Sequence, residues 1–316
     1  MRCKCGCGEI TNGGEFAPGH DARHRSTLLN QWRTFADINA RDELRDREWF
    51  YATDNRTFGV EVEFMLTDEW DERDLADHMS AEGINVTYEA YTHRTTPQWK
   101  IVTDASLRGA GRGLELVSPI LKGKQGREEL MQVMAVLNTA PVKINKSCGL
   151  HIHLGAENLR MKDLRTLFVH YYDHERLIDE MLPVSRREDN NIYCRSTGDI
   201  TNILRQARTV RGALNMANRD FGIRYRKLNL MSYERHGTVE FRQHSGTTEA
   251  TKILAWLDFA MAMVRIARYV EDDKITMLEA YDHSDLFDRL ELDNDTKDLW
   301  MRWVSNRRTA AQRRAM

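Results

Sequence analysis

Glutamate, histidine and arginine recur in this chain at a spacing of two, each time between aliphatic residues. Glu61 and Glu63 stand in GVEVEF (59–64), His151 and His153 in SCGLHIHLG (147–155), and Glu240, Arg242 and His244 in TVEFRQH (238–244). Glu115, in GLELVSP (113–119), is a further carboxylate of the same kind. Hard divalent cations prefer carboxylate oxygens, imidazole is a common metal ligand, and a guanidinium fork matches phosphate. Gathered on one surface, these side chains could hold divalent cations and a polyphosphate together.

A period of two is the signature of a β-strand, whose successive side chains point to opposite faces. Each run therefore predicts a strand with its charged residues on one face. Val60, Val62, Phe64, Leu150, Ile152, Leu154, Val239 and Phe241 fall on the other, and a register slip of one residue would bury the charges. His244 is expected beside Glu240 and Arg242. The solvated face of any half-covered antiparallel sheet is polar too, but such faces mix Thr, Lys, Ser and Gln. Confinement to Glu, His and Arg on three strands points to a site.

Other segments supply the frame. Strands are predicted at Gln98–Val102 and Leu114–Ser118 around a loop containing Asp104, Ser106 and the run GAGRG, which has neither a dinucleotide-binding spacing nor a Walker lysine-serine pair. Tyr225–Ser232 is predicted to pair with the Glu240 strand across a turn at Glu234–Gly237. Apolar periodicity predicts helices over about 72–82, 126–138, 162–182, 199–218, 247–270 and from 294 onward. The 247–270 helix is apolar over much of its circumference, which predicts burial against the sheet.

Residues 1–25 have too few apolar side chains for a core, yet carry Cys3, Cys5, Cys7 and His20. Zinc held by these four would supply the missing folding energy, the competing reading being a Cys-rich tail. A helix over 26–53 would link this knuckle to a body over 54–270, with a helical extension over 271–316. The net charge of −2 over 316 residues gives no general attraction to nucleic acid or anionic membrane. Three of the five cysteines crowd into the first seven residues, a metal-binding rather than a disulfide pattern. No run is apolar enough to span a bilayer, and Arg2 and Cys3 stand where a signal core would begin, so a cytoplasmic location is expected.

In order along the chain, GVEVEF, KIVTDASLRGAGRGLELVSPIL, SCGLHIHLG, YRKLNLMS and TVEFRQHSGTTEATKILAWLDF resemble the amidoligases of the carboxylate-amine ligase group, relatives of glutamine synthetase and gamma-glutamylcysteine ligase. The resemblance runs from Phe58 to about Phe259. The Cys-rich leader, with its GHDAR, is similar to short leaders of phage-type proteins. The resemblance implies an α+β fold, a glutamine synthetase-like antiparallel sheet with helices on one face, and ATP with two or more Mg2+ ions on the other. It implies ADP-forming amide synthesis through an acyl phosphate, from a carboxylate and an amine on a peptide, protein or amino acid. Carried over by motif, Glu61, Glu63, Glu115, Glu240 and His151 or His153 would bind Mg2+, Arg242 would meet the phosphoryl group, Asp104 would orient the amine, and Lys227 would touch phosphate or carboxylate. Two other functions compete: a metal-dependent hydrolase using His151 and His153, and a binding protein that docks through its knuckle and carries an inactive ligase-like body. Cys148 as a thiol nucleophile lacks an identifiable base.

Overall fold

A computed structural model describes residues 2–4, 7, 9–11, 13–18, 20–21, 23–24, 56–67, 69–90, 92, 94–219, 223–270 and 279–315. The linking helix expected over 26–53 and the thiolate of Cys5 lie outside the described residues. The alternating runs become the strands β1 (Thr57–Leu66), β7 (Gly149–Gly155) and β9 (Thr238–Ser245). With β2 (Val86–Tyr88), β3 (Trp99–Thr103), β4 (Arg112–Val117) and β8 (Leu228–Asn229) they form one sheet in the order β2-β3-β4-β1-β7-β9-β8. The short strands β5 (Leu121–Lys122) and β6 (Val142–Lys143) pair with β1. All these pairings are antiparallel except that of β2 with β3.

One face of the sheet is apolar and covered. Val60, Val62, Phe64, Leu150, Ile152, Leu154, Val239 and Phe241 are buried there in the main core. The covering layer includes α1 (Glu72–Ala81), α2 (Gly123–Leu137), α3 (Met161–Asp173) and α8 (Ala250–Tyr269). Of these, α8 contacts α2, α3 and β7. Its Trp256 and Phe259 stack with ring centroids 5.1 Å apart, buried as the apolar circumference predicts.

Several elements differ from the sequence expectation. The helix expected over 162–182 is interrupted at His174, which separates α3 from α4 (Glu175–Glu180) and whose ring accepts the Ala280 backbone N–H at 2.8 Å. That expected over 199–218 is two, α5 (Gly198–Gln206) and α6 (Val210–Ala217), since the Thr209 hydroxyl caps a new N-terminus by accepting from the Gly212 N–H. The turn expected at Glu234–Gly237 is a short helix, α7 (Ser232–His236), closed by Gly237 at φ 65°. In GAGRG, a Cβ on Gly111 would lie 2.1 Å from the Leu66 carbonyl oxygen. Close backbone approach explains that glycine. Two further helices, α9 (His283–Arg289) and α10 (Asn294–Ala315), follow α8. Among the described residues no helix is long and apolar enough to cross a membrane.

Candidate active site on the open sheet face

Register sets the charged residues side by side. Glu61 pairs with His151 and Glu63 with Glu115, while His153 pairs with Glu240. Four neighbouring strands, β4-β1-β7-β9, thus present one continuous polar surface to a cavity of about 1230 Å3, which Asp104, Arg186 and Arg242 also line.

Side-chain geometry divides the surface into two donor sets. Glu61, Glu115 and His151 offer ligand atoms within 4.8 Å of one another, and so do Glu61, His153 and Glu240. Glu61 belongs to both. Its Oε2 lies 3.1 Å from His151 Nδ1 and its Oε1 3.2 Å from His153 Nε2. Glu63 stands behind the first set, with Oε1 3.6 Å from His151 Nε2 and Oε2 accepting the Gly149 N–H. Glu240 accepts from Arg242 through Oε1 and from Asn229 Nδ2 at 2.7 Å through Oε2.

The electrostatics follow from this crowding. Burial opposes the charged form of Glu61, but the His153 and His151 rings outweigh it and hold the carboxyl well below its ordinary range. Burial, then the carboxylates of Glu61, Glu63 and Asp104, push Glu115 well above it. Burial would lower His153, yet Glu61 and Glu240 raise it to about 9. Glu240 is lowered against burial, chiefly by Arg242 and His153, and Arg242 is in turn held charged by Glu240. Glu61 and Glu240 are thereby held ionised beside a protonated His153, and a divalent cation in the set that His153 shares with them would displace that proton. The donor sets fit divalent metal, each with two carboxylates and one imidazole, and a cation between Glu61 and Glu115 would relieve the repulsion that raises Glu115.

Two residues fall elsewhere than expected. Lys227 does not line the cavity; it is fully buried, with Nζ 2.7 Å from Asp179 and 3.4 Å from Glu175. His244 faces the helical core, because a β-bulge at Arg242 and Gln243 opposes two residues of β9 to His151 and reverses the alternation beyond it. Its ring lies 5.4 Å from that of Trp256, and burial lowers its pKa to about 3. Cys148 is buried beside Met65 and Leu107, and burial pushes its thiol up, which disfavours a nucleophile. Arg186, from a turn far away in sequence, was not anticipated. Asp104 is on the cavity wall, its carboxylate accepting the Ser106 N–H at 2.7 Å.

At the N-terminus, His20 Nδ1 lies 3.3 Å from Cys7 Sγ and 3.7 Å from Cys3 Sγ, and the three form a group able to hold a metal ion. Cys3 Sγ accepts the Ala17 N–H at 3.3 Å, and the other ring nitrogen of His20 lies 3.8 Å from Glu9.

An α/β body whose sheet gathers acids, imidazoles and a guanidinium in one cavity has the form of an enzyme. A family model described as "Putative amidoligase enzyme" matches residues 54–264, a span that contains every strand of the sheet. The chain belongs to this amidoligase family, which places it among ligase-type enzymes. No curated protein matches the chain.

Proposed function

We propose that the chain is an ATP-dependent carboxylate-amine ligase that forms an amide and releases ADP. The observation that carries this is the pair of donor sets sharing Glu61, with the Arg242 guanidinium bonded to Glu240 in the same cavity. A mostly antiparallel sheet with one covered and one open face supports a glutamine synthetase-like body over 54–270. Mg2+ in the two donor sets would neutralise charge on the phosphate oxygens. The substrate carboxylate oxygen attacks the γ-phosphorus, and the bond to the β,γ-bridging oxygen breaks with its electron pair leaving on ADP. The amine nitrogen then adds to the acyl carbon, phosphate departs with the C–O pair, and the amine loses a proton. Arg242 meets the charge of the moving phosphoryl group. Asp104, whose charge acts on Glu115, orients the amine and accepts its proton. The cavity exceeds the roughly 300–1,000 Å3 of common small-ligand sites, leaving room for a nucleotide and a peptide, protein or amino-acid substrate.

The single-metal hydrolase reading is less well supported, because His151 and His153 belong to different donor sets. ADP release in the presence of Mg2+, ATP and a panel of amines and carboxylates tests the proposal. Glu240→Gln should lower turnover by about 100-fold or more with folding retained, and Arg242→Lys should impair turnover more than ATP binding. Wild-type turnover per folded molecule in both variants would overturn the site.

The N-terminal group supports a structural zinc site of Cys3, Cys7 and His20, completed by Cys5. In this reading Glu9 holds the remaining ring nitrogen of His20, as outer carboxylates do for ligand histidines.

A further inference from the structure

Of the arginines that line the cavity, Arg242 and Arg186 differ in what neutralises them. Arg242 is bonded to Glu240. Arg186, at the end of the 3-10 turn Val184–Arg186, is only 2% exposed, and among the described residues no carboxylate pairs with it. Its Nη2 donates to the carbonyls of Ser147, at 3.2 Å, and Cys148. Nη1 reaches the Cys194 sulfur at 3.9 Å, and Nε has no hydrogen-bond partner. A buried guanidinium bonded only to carbonyls and a sulfur, with one nitrogen lacking a hydrogen-bond partner, retains capacity for an anion.

The surroundings keep this cation next to the donor sets. A Cβ on Gly149 would lie 3.1 Å from Arg186 Nη2, from Glu63 Oε2 and from His151 Nε2, so a side chain there would crowd all three. The bulge that presents Arg242 also turns Gln243 away into a buried network. Gln243 Nε2 donates to the Arg186 carbonyl at 3.1 Å and to Asp179, and its Oε1 accepts from the Tyr171 hydroxyl at 2.6 Å. Asp179 in turn binds Lys227. One irregularity in β9 thereby fixes both guanidiniums.

We infer that Arg186 is the seat of a substrate oxyanion, a carboxylate or phosphate gripped by the guanidinium beside Glu63 and His151. The inference rests on the ligase reading for its chemistry: the oxyanion is the carboxylate to be phosphorylated, or the phosphate that later leaves it. Calorimetric titration of the full chain, with and without Mg2+ and ADP, would use acetate in one arm and inorganic phosphate in the other. At least one anion should bind wild type. Arg186→Gln should weaken that binding at least ten-fold, and Arg186→Lys less, while ADP affinity changes by less than two-fold. Which anion loses affinity identifies the source. Melting curves accompany the variants, and Arg186→Lys serves if Arg186→Gln fails to fold. Equal anion affinity in wild type and a folded variant, or no anion binding by wild type, overturns the inference. Failure of ADP to bind wild type counts against the ligase reading alone, since Arg186-dependent anion binding can be read without nucleotide.

Discussion

The molecule carries two clusters of metal-ligand side chains, assembled by different means. On the sheet, the ligands come from strands distant in sequence and are set by register, while the opposite face is locked into the main core. At the N-terminus, the ligands come from one short segment in which Cys3 and Ala17 are buried but Ile10 is 78% exposed. The first cluster is a product of the fold. The second has little apolar burial, so under the zinc proposal an ion would itself supply the folding energy.

That contrast makes zinc removal the most disruptive test. Chelation of purified protein should abolish protection of residues 2–24 against proteolysis, because structural zinc is worth about 10–16 kcal/mol in small knuckles. The melting temperature of the body should not move. A coupled fall in both, or the absence of zinc from the purified protein, would break the comparison.

A smaller effect sharpens it from within the body. His244 sits neutral in the helical core, its Nδ1–H donating to the Ser245 carbonyl at 2.7 Å, with Arg307, Arg186 and Lys252 adding to the burial that lowers it to about 3. Unfolded, this ring binds a proton near pH 6.5, so the unfolded state takes up more protons below that value. Its contribution to stability is complete above about pH 6.5 and is lost as pH falls towards 3, about 2 kcal/mol by pH 5. Urea titrations at pH 7 and pH 5 should show this loss, reduced in His244→Gln. An equal loss in the variant would assign it to other groups.

Alternation made the open face legible in the sequence, because a strand cannot bury Val60 and Val62 without presenting Glu61 and Glu63 to the other side. The bulge left a trace: Gln243 stands where alternation after Val239 and Phe241 requires an apolar residue. Strict alternation, with no bulge, puts His244 on the wrong face. Arg186 left none, since one arginine in the charged run SRRED has no periodicity and its place depends on contacts with the residues just before β7 and with β9. Lys227 was legible as a charge near the site, but its ties to Asp179 and Glu175 depend on the packing of α4 against the sheet. The helix break at Thr209 likewise arises from a local cap, and the one at His174 falls where the ring meets Ala280, far along the chain.

The central claim is that Glu61 is shared by two cation sites, one completed by Glu115 and His151 and the other by His153 and Glu240. Titration with Mn2+, followed by electron paramagnetic resonance of the free ion, counts those sites directly. The account predicts that Glu115→Gln and Glu240→Gln each remove one bound ion, a different one in each case, and that Glu61→Gln removes both. A folded Glu61→Gln protein that binds as many ions as wild type, or that loses no more than either single-site variant, would contradict it.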